Sequence, residues 1–174
     1  FQNRAMYTPL IISTLSLLAS GQGQQDPDAM LSKVRDPIYI LTGLTGLAGA
    51  GFHLYNVTKR PGGMSWSNLF YAAPLGAPAA LVLSGLLGYY SEQLRNTSSD
   101  AAPRVLGLPA GKSVALMAAA GLLGTTAEAG LLHFRGSFQN PAMYLPVTAP
   151  PLAAGLLAAS ALSSPRRQRL RWLS

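Results

Sequence analysis

Three side chains in this sequence are placed where they could do chemistry: His53, His133 and Glu128. Each histidine closes an apolar stretch, and each shares a helical face with small residues. Thr42, Gly46, Gly49, His53 and Asn56 follow one another at helical spacing, as do Thr126, Gly130 and His133. Imidazoles from two helices are the usual axial ligands of a b-type haem inside a bundle, and glycines on the same faces would give the flat macrocycle room. His53 and His133 are therefore the candidate cofactor-binding pair. Glu128 is the one acidic residue well inside an uncharged run. An ionisable group at such depth is by default a candidate for proton or solute movement, or for a buried structural hydrogen bond. Asn56 is the second polar group of this kind. Glu128 and His133 are five residues apart, about 140° around a helix, and do not form a same-face pair.

Other chemistry is excluded by what is missing. The chain has no cysteine, which removes thiolate catalysis, disulfides, iron–sulfur clusters and Cys-ligated zinc. Two histidines and six acidic residues leave little for a metal site beyond a haem iron. No Ser/His/Asp constellation or paired carboxylates can be set at one depth, so no catalytic residue is assigned. The stretch Gly107-Leu-Pro-Ala-Gly-Lys112-Ser113 is superficially like a phosphate-binding loop. It is one residue short between its glycines, follows no strand, and leads into an apolar run, so Lys112 reads instead as a boundary residue.

The elements that must position these residues are long and apolar. Of 174 residues 49% are apolar and 11% charged, where a soluble domain carries about 25% charged. No Asp, Glu, Lys or Arg occurs from Ala5 to Gln25, Pro37 to Thr58, Pro61 to Ser91, Ser113 to Ala127 or Gly136 to Pro165. A helix needs roughly 20 such residues to cross a bilayer. The runs lack alternation and are too long for barrel strands, which predicts an all-α, polytopic transmembrane helical bundle of about five spans. The spans are expected near Tyr7–Ser20, Ile38–Asn56, Leu69–Tyr89, Val114–Phe134 and Met143–Ala161. Together they predict one membrane domain over 1–164 and a basic cytoplasmic tail over 165–174.

A repeated phrase organises these spans. Phe138-Gln-Asn-Pro-Ala-Met-Tyr-Leu-Pro146 nearly restates Phe1-Gln-Asn-Arg-Ala-Met-Tyr-Thr-Pro9, and Trp66-Ser-Asn-Leu-Phe-Tyr-Ala-Ala-Pro74 is a looser copy. Self-similarity of this kind marks one supersecondary unit used several times. Asn140-Pro141 reads as an N-cap followed by Pro at the first helical position. The later prolines, Pro9, Pro74 and Pro146, are expected about two turns in, as kinks. The chain opens on Phe inside a repeat whose other copies follow a helix ending in His, so a further span is expected upstream, completing three hairpins.

Nine of the 13 Lys and Arg residues fall on one side of such a bundle, among them the run from Arg166 to Arg171. The positive-inside rule then puts the C-terminus in the cytoplasm of an inner or plasma membrane, with Trp172 at the interface. The net charge of +7 is explained by topology, and no nucleic-acid motif accompanies it. Both histidines and all three repeat copies fall on the outer side. The outer loops carry Trp66, Asn68, Arg135, Phe138 and Asn140, side chains of the kind protein interfaces use. The expected function is an integral membrane subunit that anchors another membrane or periplasmic subunit, in a redox or other assembly. The alternatives are a haem-binding electron carrier using His53 and His133, and a small solute or proton transporter using Glu128.

Overall fold

The computed structural model describes residues 4–25, 29–72, 75–96 and 103–163. Asn3, Pro74 and the basic tail lie outside the described residues. The elements are α1 (Thr8–Gln25), α2 (Ala29–Thr58), α3 (Trp66–Ala72), α4 (Gly76–Arg95), β1 (Arg104–Val105), β2 (Leu108–Pro109), α5 (Ala110–Arg135) and α6 (Leu145–Leu162). Short 3-10 turns at Arg4–Tyr7 and Pro141–Tyr144 precede α1 and α6. The fold is all-α apart from the two-residue strands, which pair antiparallel around Leu106 and Gly107. Both turn residues have positive φ (54° and 77°), the type I′ geometry that matches strand twist. The stretch set aside as a phosphate loop follows the two-residue β1, where no strand was expected, and is a hairpin leading into a helix, with the Ser113 hydroxyl donating to the Val105 carbonyl at 2.7 Å.

The chain divides into two compact units, Phe1–Ser99 and Asp100–Ser174. In the first, α2 packs along α4 and against α1; in the second, α5 turns back into α6. Three helices are long and apolar enough to cross a bilayer: Met30–Thr58, Ala110–Arg135 and Pro141–Leu162. No more than 17% of the apolar window in any of them is buried within the molecule. Large side chains such as Leu17, Phe52 and Leu152 instead point outward. In water this would forfeit about 25 cal/mol for each Å² of apolar surface left uncovered. Surrounded by lipid it costs nothing, and close packing of small residues becomes the main attraction between helices.

That packing is visible in the core, which is largely alanine (Ala19, Ala110, Ala119, Ala154, Ala161). Glycines take the tightest positions between α2 and α4. A methyl group at Gly85 would stand 2.5 Å from the Gly43 nitrogen and the Tyr39 carbonyl oxygen. One at Gly46 would stand 2.6 Å from the Val82 nitrogen and 2.7 Å from the Pro78 carbonyl. The small-residue seam expected from Thr42, Gly46 and Gly49 is the one along which α4 lies, with Thr42 fully buried.

Two expectations need correcting. The span expected over Leu69–Tyr89 is not one helix: α3 ends at Ala72 and α4 starts at Gly76. Pro74 has no N–H to continue a helix and disfavours helical geometry in the residue before it. The repeated prolines also start helices where kinks were expected. Pro9 is the second residue of α1 and Pro146 the second of α6, where a missing N–H leaves no helical bond unmade. Interior prolines do occur, at Pro37 in α2 and at Pro150 and Pro151 in α6. The cap expected at Asn140 is present, its side-chain oxygen accepting from the Ala142 N–H at 2.9 Å ahead of Pro141.

Candidate functional site

His53 lies on α2, half-buried. The glycines one and two turns before it, which would have given a flat cofactor room, are occupied by α4: Pro78 and Val82 fill Gly46, and the Pro78 ring lies 3.7 Å from the position of a Gly49 methyl. Asn56 does not share this seam. It is exposed, and the next residue, Val57, is the one fully buried. His53 to Val57 is a step of four residues, which keeps Val57 on the packed face and turns Asn56 away.

The corner after α2 is a tight turn closed by side-chain hydrogen bonds. Gly62 and Gly63 take positive φ (83° and 48°), a backbone that glycine adopts without steric penalty. The Asn68 amide reaches back from α3 and donates to the Pro61 and Gly63 carbonyls, both at 2.9 Å. Its role is to hold the loop, and the loop leads into α3 at Trp66, which is 74% exposed. Beside it Lys59 lies 4.9 Å over the Tyr55 ring, a cation–π contact.

The second unit gathers His133, Phe138 and Tyr144 at its own corner. The His133 and Phe138 rings are 6.2 Å apart, and Phe138 stacks on Tyr144 at 4.7 Å with the planes 13° apart. Ser137 and Phe138 reach this arrangement through left-handed backbone (φ 57° and 45°), strained for side-chain-bearing residues. The Phe138 N–H donates to the His133 carbonyl at 3.1 Å and closes the turn. Arg135 is exposed at the end of α5, and Asn140 is engaged as a cap. His53 belongs to the first unit and His133 to the second.

Glu128 sits seven residues before the end of α5, half-buried. Among the described residues no hydrogen bond or ion pair holds its carboxyl. On its face Gly124 is open, with nothing within 4 Å of an added methyl. The Thr125 hydroxyl donates to the Leu122 carbonyl of its own helix at 3.0 Å.

The densest polar cluster is one that sequence reasoning missed. At the Arg35 end of the first unit, Arg35 is 1% exposed and Glu92 fully buried. Arg35 donates to Glu92 Oε1 from Nε at 3.0 Å and from Nη2 at 2.6 Å. Arg95 donates to the other carboxylate oxygen at 2.7 Å. Gln22 of α1 accepts from Arg35 Nη1 at 3.3 Å, so the cluster ties three helices. Gly23 leaves the space in which the Arg95 guanidinium lies. Two further hydrogen bonds flank the ions: Gln93 donates to Asp36 Oδ2 and Asn96 to the Ser32 hydroxyl, each at 3.2 Å. The second Asp36 oxygen is buried with no hydrogen-bond partner among the described residues.

The spans expected over Ile38–Asn56 and Leu69–Tyr89 stop short of these residues. The helices in fact run on, α2 from Ala29 and α4 to Arg95. The three-residue spacing of Glu92 and Arg95 was the available signal. Chemically this is a clamp, an acid held from both sides by guanidinium groups. Among the described residues no three His, Asp or Glu side chains gather as a metal site. Comparison with protein-family models, curated proteins and solved structures returns no match.

Proposed function

We propose that the chain is a non-catalytic integral membrane subunit of a larger assembly, holding a partner protein at its outward-facing corners. In this reading α1 and α4 join the three long apolar helices as further spans, and the positive-inside rule puts the C-terminus in the cytoplasm. Each repeat copy then faces outward, at the end of a helical hairpin. α1 and α4 have lower mean hydropathy because each ends in a polar segment, Gly21–Gln25 and Ser91–Arg95, which would project beyond the hydrocarbon.

The observation that carries the reading is the Trp66 corner. An exposed tryptophan at the start of α3, beside a loop clasped by Asn68, loses little further freedom when a partner covers it, and rigid aromatic anchors dominate interface energetics. Interfacial tryptophan also seats in lipid headgroups, so the test must separate the two. In native membranes the wild-type chain should retain a stoichiometric partner through purification. Trp66→Ala should lower that retention about tenfold or more, with extraction of the chain from the membrane unchanged. A stable, partner-free protein, or retention indifferent to Trp66→Ala and Asn68→Ala, would overturn the proposal.

A further inference from the structure

We infer that the Glu128 face of α5 is a docking surface within the membrane for a helix of another polypeptide that presents a lysine or arginine at that depth. This deepens the proposed role as an assembly subunit and rests on it. Glu128 lies seven residues inside the Arg135 end of α5, about 10 Å along the axis. A carboxyl at such depth needs a charge or a donor opposite it.

The chain's own hairpin does not supply one among the described residues. Thr125 and Thr126 both donate to the Leu122 carbonyl, and Thr148 of α6 donates to the Tyr144 carbonyl. From Ser113 to Phe134 there is no Lys or Arg, and α6 contains none. The surface beside the acid is shaped for close approach, since Gly124, one turn away, has nothing within 4 Å of where a methyl would stand. This contrasts with Gly46 and Gly85, where α2 and α4 have already met.

Charge decides the occupant. A parallel second copy using the same face would set Glu128 against Glu128, two acids without a counter-ion. A different helix bearing one basic side chain completes the pair. The tighter helix contact at Gly124 would shield that pair from lipid.

The test uses the full chain in lipid vesicles with single-span Leu/Ala peptides as probes. One peptide carries Lys seven residues from its outer end; controls carry Leu or Glu there. Association is read by energy transfer between labelled chain and labelled peptide. The Lys peptide should bind about tenfold tighter than the Leu peptide, the gain one intramembrane polar contact supplies. Glu128→Leu should abolish that preference, and Gly124→Leu should weaken it with Glu128 intact. Equal binding of the Lys and Leu peptides, a Lys preference that survives Glu128→Leu, or self-association of the chain that Glu128→Leu removes would each overturn the inference. A Lys preference in a protein whose partner retention ignores Trp66 would retain this surface and discard the outer corners.

Discussion

Two of the acids on this protein's helices, Glu92 and Glu128, have opposite surroundings. Glu92 is fully buried between α2 and α4 with a guanidinium on each carboxylate oxygen. Glu128 is half-buried on α5, and no ion pair or hydrogen bond holds it among the described residues. Burying an ion pair costs several kcal/mol per ion, and the pair persists only where geometry and added hydrogen bonds return that cost. Glu92 meets those conditions inside the chain. Glu128 meets none of them there. The first acid is architecture, and the second is an unfilled half of an interaction.

The comparison breaks most directly at Glu92. Glu92→Gln removes the charge that binds Arg35 and Arg95 and leaves the buried Arg35 guanidinium without the Glu92 carboxylate. The expected loss is about 3–5 kcal/mol, read as a fall in thermal midpoint of the detergent-solubilised protein. Glu128→Gln should move the same midpoint by less than about 0.5 kcal/mol equivalent, as for a surface site. If the two substitutions proved equally damaging, the distinction between a satisfied and an unsatisfied acid would fail.

The same contrast explains what could be seen in the sequence. Glu128 was legible because one charge interrupts a long uncharged run, a signal that needs no knowledge of neighbours. The Arg35–Glu92 pair was not, because its members are 57 residues apart and meet only once α2 and α4 pack. It was hidden further because the expected span began at Ile38, whereas α2 carries Pro37 in its interior. The seam of Thr42, Gly46 and Gly49 was legible because small residues at helical spacing have one use between membrane helices. Its partner face on α4 was not, since the expected span over Leu69–Tyr89 ran from α3 into α4 without a break. The left-handed turn at Ser137 and Phe138 had no signal at all. Neither residue type favours that backbone, and only the stack of Phe138 on Tyr144 gives it a reason.

Glycine sharpens the comparison at a smaller scale. Gly85→Ala would force a methyl against the backbone of Gly43 and Tyr39 at 2.5 Å, and backbone on both sides cannot yield. A loss of about 1–3 kcal/mol is expected, the usual cost of overpacking. Gly124→Ala meets nothing within 4 Å, so the isolated chain should gain up to about 1 kcal/mol from helix propensity alone. Opposite signs in the two midpoints mark one seam as closed and the other as open. A loss at Gly124 in the isolated chain would mean that its face is already occupied.

The smallest effect concerns the corners, where the two asparagines of related phrases do different work. Asn140 caps a turn through one bond to the Ala142 N–H, so Asn140→Ala should cost about 1 kcal/mol, and Asn140→Ser, which keeps an acceptor, should cost less. Asn68 acts as a donor to two carbonyls, so neither Ala nor Ser at 68 reproduces it, and Asn68→Asp exchanges the amide donor for an acceptor. Asparagine-to-serine substitution at the two positions therefore separates a cap from a loop clasp: the midpoint recovers at 140 and stays low at 68. Equal recovery at both would show that Asn68 contributes only as a small polar residue, and the turn beside Trp66 would lose its clasp.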